Sequence, residues 1–158
     1  MKRLISAILV SLGLLAIAFI PNSTIAAGES GTVAAAARGS FASVSTFCSV
    51  ALSGIDVGTG VLIEPDGTAT GPFSAVLTGR SLLGLPQQII IDGQATRGAI
   101  APDGRAYFSG VAAIDLGNGT RLAGVPFSVT TTTDTLLLSL DTTALPTARV
   151  TAGVISIE

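Results

Sequence analysis

Carboxylates are the side chains of this sequence best suited to acid–base chemistry. A pair of them, one held protonated and one ionised, can cleave a glycosidic bond. The candidates for such a pair are Glu64, Asp66, Asp103 and Asp115. Asp66 and Asp103 each occupy the middle of a Pro-Asp-Gly triplet, where Asp is favoured because its side chain accepts backbone hydrogen bonds. We therefore predict that these two carboxylates shape turns and take no part in catalysis.

The side chains that most enzymes use are missing from residues 28–158. The sequence has no His, and its single Lys is Lys2. Without them there is no Ser-His-Asp triad, imidazole metal ligand, Schiff-base lysine or P-loop lysine. Acid–base chemistry near neutral pH would rest on carboxylates, hydroxyls, Tyr107 or Cys48. The sequence accordingly predicts no catalytic, cofactor-binding or metal-binding residue, no cofactor and no enzymatic activity.

The oxygen-rich residues 115–120 could in principle take up calcium. They lack the alternating Asp and Asn ligands and the terminal Glu of an EF-hand loop. The Gly-Asn-Gly sequence around Asn118 is instead typical of a hairpin turn. We predict a turn here, and no metal site.

Cys48 is the only cysteine, so the chain cannot form an internal disulfide. A nucleophilic thiol needs a neighbouring His or other cation, and there is no His. Residues 42–52 alternate between apolar and small polar side chains, with Cys48 in the same set as Val44, Val50 and Leu52. The alternation predicts one half-buried strand in which Cys48 is a buried small hydrophobe.

The same two-residue period predicts strands over residues 61–64, 73–77, 89–91, 106–116, 125–131, 136–140 and 150–157. In the strand from residue 106, the side chains expected to face the core are those of Ala106, Phe108, Gly110, Ala112, Ile114 and Leu116. Residues 33–37 form at most a turn or a first strand, because so short a stretch before Gly39 cannot support a helix. Turn sequences at short intervals favour hairpins. We predict an all-β domain, either a single antiparallel β-sandwich or a small closed β-barrel.

A weak internal repeat accompanies these turns. Residues 60–69 resemble residues 98–106, and residues 84–86 resemble residues 124–126. We interpret the repeat as a duplicated hairpin pair within one sheet. Arg80 and Arg121 hold related places in the two copies and would make an anion-binding patch if they met, but we expect the arginines to lie dispersed at strand ends.

The first residues have the order of a secretory signal. Lys2 and Arg3 precede an uncharged apolar run, which ends at Pro21 and leads to small residues up to Ala27. We predict a signal peptide over residues 1–27 and one domain over residues 28–158 in the periplasm, at the cell surface or outside the cell. The alternative is an uncleaved anchor, because the apolar run approaches the ~17 residues that a spanning helix needs.

Charge excludes two classes of partner. The formal net charge is −2, and removing Lys2 and Arg3 makes it −4. An acidic domain with scattered arginines lacks the basic surface that binds nucleic acids and anionic membranes, so we expect neither partner after signal cleavage.

The prediction that remains is an exported non-catalytic domain with a structural or binding role. Its alternative is a small barrel carrying an apolar ligand inside, lipocalin-like in architecture alone.

Overall fold

The computed structural model describes residues 29–158, which form one antiparallel sheet of nine strands and contain no helix. The strands are β1 (Gly31–Phe47), β2 (Val50–Ile63), β3 (Thr68–Ser81), β4 (Pro86–Ile100), β5 (Ala106–Asp115), β6 (Arg121–Thr131), β7 (Thr135–Leu140), β8 (Thr143–Ala144) and β9 (Ala148–Ile157). The all-β prediction is therefore confirmed, and residues 33–37 belong to the first strand. The predicted signal peptide lies outside the described residues. Within those residues, no helix exists that could cross a membrane.

The strands follow one another as neighbours through most of the sheet. Their order is β6-β5-β4-β3-β2-β1-β9-β7-β8, and every pairing is antiparallel. Strand β6 pairs with β7 as well as with β5. Short hairpin turns join the strands from β1 to β7. In the turns at residues 64–67, 82–85, 101–104 and 117–120, Gly, Asn or Pro supplies the backbone angles that tight turns require.

Two groups of turns lie at opposite ends of the strands. Residues 64–67, 101–104 and 132–134 form one group, which we call the Pro-Asp-Gly end. Residues 48–49, 82–85 and 117–120 form the other, which we call the leucine end. Chain direction alternates from strand to strand, so residues close in sequence across a turn share an end.

One face of the sheet carries the core, because alternate side chains of each strand point the same way. Phe73, Phe108 and Phe127 meet there, each 3 % exposed or less. Gly93 makes room for one of these rings: a Cβ at that position would lie 2.8 Å from Cε1 of Phe127. In β5 and at Leu116, which follows it, the predicted inward set is confirmed: its members are buried apart from Gly110, which is half-buried.

The prediction of one strand over residues 42–52 with Cys48 buried is wrong, although Val50 and Leu52 are buried as predicted. β1 ends at Phe47 and β2 begins at Val50, so Cys48 and Ser49 form a two-residue turn with φ of 48° and 67°. Cys48 is exposed and so is Val44. A two-residue turn places Phe47 opposite Val50 on the same face of the sheet. The inward-facing residues therefore have odd numbers in β1 and even numbers at the start of β2. Alternation counted straight through the turn therefore put Cys48 on the wrong side.

Candidate functional site

The first Pro-Asp-Gly turn uses its carboxylate to hold the backbone. The N–H of Glu64 donates to the carbonyl of Thr68 at 2.8 Å, and the N–H of Gly67 donates to the carbonyl of Glu64 at 3.0 Å. Oδ1 of Asp66 accepts the N–H of Thr68 at 2.8 Å. Gly67 takes φ of 82°, which only glycine adopts without strain. Asp66 is therefore a turn residue, as predicted.

The second Pro-Asp-Gly turn repeats this arrangement. The N–H of Ala101 donates to the carbonyl of Arg105 at 2.8 Å, and that of Gly104 donates to the carbonyl of Ala101 at 3.0 Å. Oδ1 of Asp103 accepts the N–H of Arg105 at 3.2 Å, while Oδ2 pairs with Nε of Arg105 at 2.7 Å. The two copies of the sequence repeat thus form equivalent hairpin turns at one end of the sheet.

Both carboxylates are held in the ionised form. The backbone N–H of Thr68 is the main cause that lowers the pKa of Asp66 below its ordinary value. The backbone N–H of Arg105 does the same for the pKa of Asp103. A glycosidase needs one carboxyl that stays protonated near neutral pH. Neither Asp66 nor Asp103 meets that requirement.

The other two candidate carboxylates lie apart from each other. Glu64 belongs to the Pro-Asp-Gly end, whereas Asp115 ends β5 at the leucine end. Oδ1 of Asp115 accepts the N–H of Gly117 at 2.9 Å, and Oδ1 of Asn118 accepts the N–H of Thr120 at 3.0 Å. The side-chain oxygens of Asp115 and Asn118 therefore organise a turn. Over residues 29–158 no three Cys, Asp or Glu side chains cluster as metal ligands would.

Arg80 and Arg121 do not form a common patch. Arg80 is the next-to-last residue of β3 and Arg121 begins β6, and the order of the sheet puts β4 and β5 between them. Measured along the sheet, three inter-strand spacings correspond to about 14 Å. Arg80 donates from Nη1 to the carbonyl of Gly84 at 2.9 Å, which fixes the turn after β3.

A cleft on the outer face, near the leucine end, was not foreseen from the sequence. Its volume is about 620 Å³, and its polar and apolar lining includes Ser53, Thr78, Arg80, Gln87, Gln88 and Ile90. These residues come from β2, β3 and β4, and Gly117 closes one side. The sequence contains no local motif for this cleft, because strand pairing alone brings its lining residues together.

The cleft combines one cationic side chain with neutral polar ones. Arg80 is the only charged residue in its lining. Gln87 is already engaged, donating from Nε2 to the carbonyl of Leu116 at 2.7 Å. Ser53 donates from Oγ to the carbonyl of Thr78 at 3.2 Å. Among the described residues Gln88 makes no side-chain hydrogen bond, so its amide and the remaining N–H groups of Arg80 are free to meet a ligand.

Comparison of the chain with protein-family models, with curated proteins and with solved structures finds no match. The chemistry of the described residues is therefore the ground for assigning a function.

Proposed function

We propose that this chain is an exported, non-catalytic binding domain, built as a closed β-barrel, which takes a small anionic ligand in the outer cleft beside Arg80. The anion is a carboxylate or a phosphate, both of which accept hydrogen bonds from a guanidinium group.

Strand pairing supports the closed barrel. β6 pairs with β5 and β7, β7 pairs with β9, and β9 pairs with β1, so hydrogen bonds lead from each of these strands to the next. Closure removes most of the unpaired sheet edges that invite aggregation. A sandwich would instead divide the strands into two sheets.

The filled inner face is the observation that carries the proposal. Phe73, Phe108 and Phe127 contact one another there, with ring centroids 4.9 to 6.4 Å apart. An inner cavity beside Ile55 and Leu136 holds about 10 Å³, which is space for one water at most. These observations favour a ligand site on the outer face over the alternative of an apolar ligand inside.

The absence of suitable acids and bases supports a non-catalytic role. His is absent from the whole sequence, and Lys occurs only at position 2. Ionised Asp66 and Asp103 accept hydrogen bonds within their own turns.

The proposal of export rests on the signal pattern of residues 1–27, and N-terminal sequencing of the protein recovered from outside the cytoplasm tests it. We expect a first residue of Ala27 or Gly28, whereas retention of residues 1–20 indicates an anchor.

Amide shifts in a ¹H–¹⁵N spectrum test the cleft. Inorganic phosphate and acetate should shift the amides of Thr78, Arg80 and Gln88, while glucose, which is neutral, should not. Arg80→Gln should abolish the shifts, and Gln88→Ala should weaken them without touching the turn that Arg80 supports. The matched control Arg97→Gln changes an exposed arginine outside the cleft and should behave as the wild type. Shifts outside the cleft, or none at all, contradict the proposal.

A panel of glycoside and ester substrates tests the non-catalytic part. The wild type should turn over none of them. Turnover that Asp66→Ala or Asp103→Ala abolishes, with an unchanged melting temperature, would replace this proposal with a carboxylate-dependent hydrolase.

A further inference from the structure

The hairpin turn after β3 exposes three leucines to solvent. Leu82 is 83 % exposed, Leu83 is 86 % exposed and Leu85 is 62 % exposed. Single exposed apolar residues are ordinary on protein surfaces, but a compact group of them marks a contact surface. We call Leu82, Leu83 and Leu85 the leucine tip.

The turn holds the leucine tip away from the sheet. The N–H of Ser81 donates to the carbonyl of Leu85 at 2.9 Å, and the N–H of Gly84 donates to the carbonyl of Ser81 at 2.8 Å. Gly84 adopts φ of 77°, and its carbonyl receives Nη1 of Arg80. A turn fixed in this way cannot fold its leucines back onto the core.

The charge around the leucine tip suits a lipid surface. Between Asp66 and Asp92 the only charged residue is Arg80, so the tip and the parts of β3 and β4 next to it carry no carboxylate that would resist leaving water. Arg80 lies at the base of the tip, where a long cationic side chain can reach a phosphate while the leucines enter the apolar layer.

The size of the leucine tip argues against a second copy of the chain as the occupant. Three leucines offer about 300 Å² of apolar surface, whereas a stable protein interface buries about 800 Å² per partner. A projecting tip also needs a matching hollow in a protein partner. Fluid lipid closes around a projection without one.

We propose that the leucine tip inserts into the boundary between headgroups and acyl chains of a phospholipid bilayer, with Arg80 at the level of the phosphates. The inference goes beyond the binding function proposed for the cleft and shares only Arg80 with it. The net charge of the chain predicted no membrane contact. That prediction could not take account of apolar side chains that a turn holds in solvent. Docking in this orientation brings the cleft, which shares Arg80, close to the headgroups.

Fluorescence provides a direct test because the chain contains no Trp. Leu83→Trp should give a blue-shifted emission when phosphatidylcholine vesicles are added. Val154→Trp is the matched control, since Val154 is 65 % exposed but lies on β9, away from the leucine tip, and its emission should not change. An unchanged Leu83→Trp spectrum contradicts the proposal, as does a shift of equal size at position 154.

Sedimentation with the same vesicles tests the native tip. The wild type should co-sediment, and Leu82→Ser with Leu83→Ser should weaken binding at least about tenfold. That double variant should keep the wild-type melting temperature and the phosphate-induced shifts of the cleft, so a failure here is distinct from a failure of the proposed function. Undiminished binding by the double variant overturns the inference. A tip-dependent dimer seen by ultracentrifugation without lipid overturns it too and identifies a second copy as the occupant.

Discussion

Phe73 of β3 and Phe127 of β6 stack with ring centroids 4.9 Å apart, although β4 and β5 lie between their strands in the sheet. Phe108 of β5 meets the first ring edge-on at 5.8 Å. Side chains on a flat sheet could not touch across two intervening strands, since three spacings amount to about 14 Å. The sheet therefore curves strongly around these rings, and they occupy the space inside the curve.

Removing one of these rings should be costly. Phe127→Ala leaves a cavity beside Gly93 and Phe73 and should lower the free energy of unfolding by about 3–5 kcal/mol. Tyr107→Ala is the control, because Tyr107 is 43 % exposed on the outer side of β5, and its cost should stay below about 1 kcal/mol. Chemical denaturation of both variants measures the difference. Equal losses would mean that the three rings are not the centre of the core.

The thiol of Cys48 should react quickly in the native state. The residue is exposed in a two-residue turn, so a thiol reagent should label the folded protein nearly as fast as the unfolded protein. Cys48→Ser should abolish labelling and leave the melting temperature almost unchanged. Protection of Cys48 until the protein unfolds would contradict the turn between β1 and β2.

Ser49→Gly should stabilise the protein. Ser49 has φ of 67°, a conformation that costs a residue with a Cβ about 1 kcal/mol relative to glycine. Ser45→Gly is the matched control, because Ser45 lies within the paired part of β1, where glycine should destabilise by about 0.5–1 kcal/mol. The two variants should therefore shift the denaturation midpoint in opposite directions. A shift in the same direction would indicate that residue 49 is not in the left-handed region.

Asp66 should make the folded protein less stable at acidic pH. The N–H of Thr68 lowers the pKa of Asp66 in the folded protein, whereas the unfolded chain has a pKa of about 3.9. The ionised group therefore contributes stability above about pH 4, and this contribution is lost as the pH falls through the folded pKa. Asp66→Asn keeps a hydrogen-bond acceptor but cannot titrate.

Thermal melts between neutral and strongly acidic pH measure this contribution. The wild type should lose more of its melting temperature on acidification than Asp66→Asn does. Asp66→Ala should melt a few degrees below the wild type at neutral pH, because the turn loses its acceptor. Identical pH profiles for the wild type and Asp66→Asn would show that the hydrogen bond from Thr68 does not favour the ionised form.

The sequence predicted β5 better than it predicted β1 and the turn that follows β1. Alternation in β5 identified the buried side of Phe108 and Ile114 correctly, because that strand is regular over its inward set. The extent of β1 was underestimated, and its two predicted pieces were not joined, because Ala, Gly and Ser dominate it and give little contrast between faces. The turn at Cys48 escaped because neither Cys nor Ser is typical of positive φ.

One part of the candidate site was predictable from the sequence and the other part was not. The roles of Asp66 and Asp103 were predictable because the Pro-Asp-Gly sequence carries its turn chemistry locally. The cleft was not predictable, since Ser53, Arg80 and Gln88 become neighbours only through the register of β2, β3 and β4. The exposure of Leu82 and Leu83 was equally hidden, because a pair of leucines in a sequence is more often part of a core.

The central claim is that ligands meet this domain on its outer face, because its interior is already filled. Its most direct test is a ¹H–¹⁵N titration with cis-parinaric acid, an apolar probe, set beside the titration with inorganic phosphate. We predict that phosphate shifts the amides of Thr78 and Gln88, and that cis-parinaric acid leaves the amides of Phe73, Phe108 and Phe127 unmoved. Saturable one-to-one binding of cis-parinaric acid, with shifts centred on those three phenylalanines, would contradict the claim and favour a barrel that carries an apolar ligand inside.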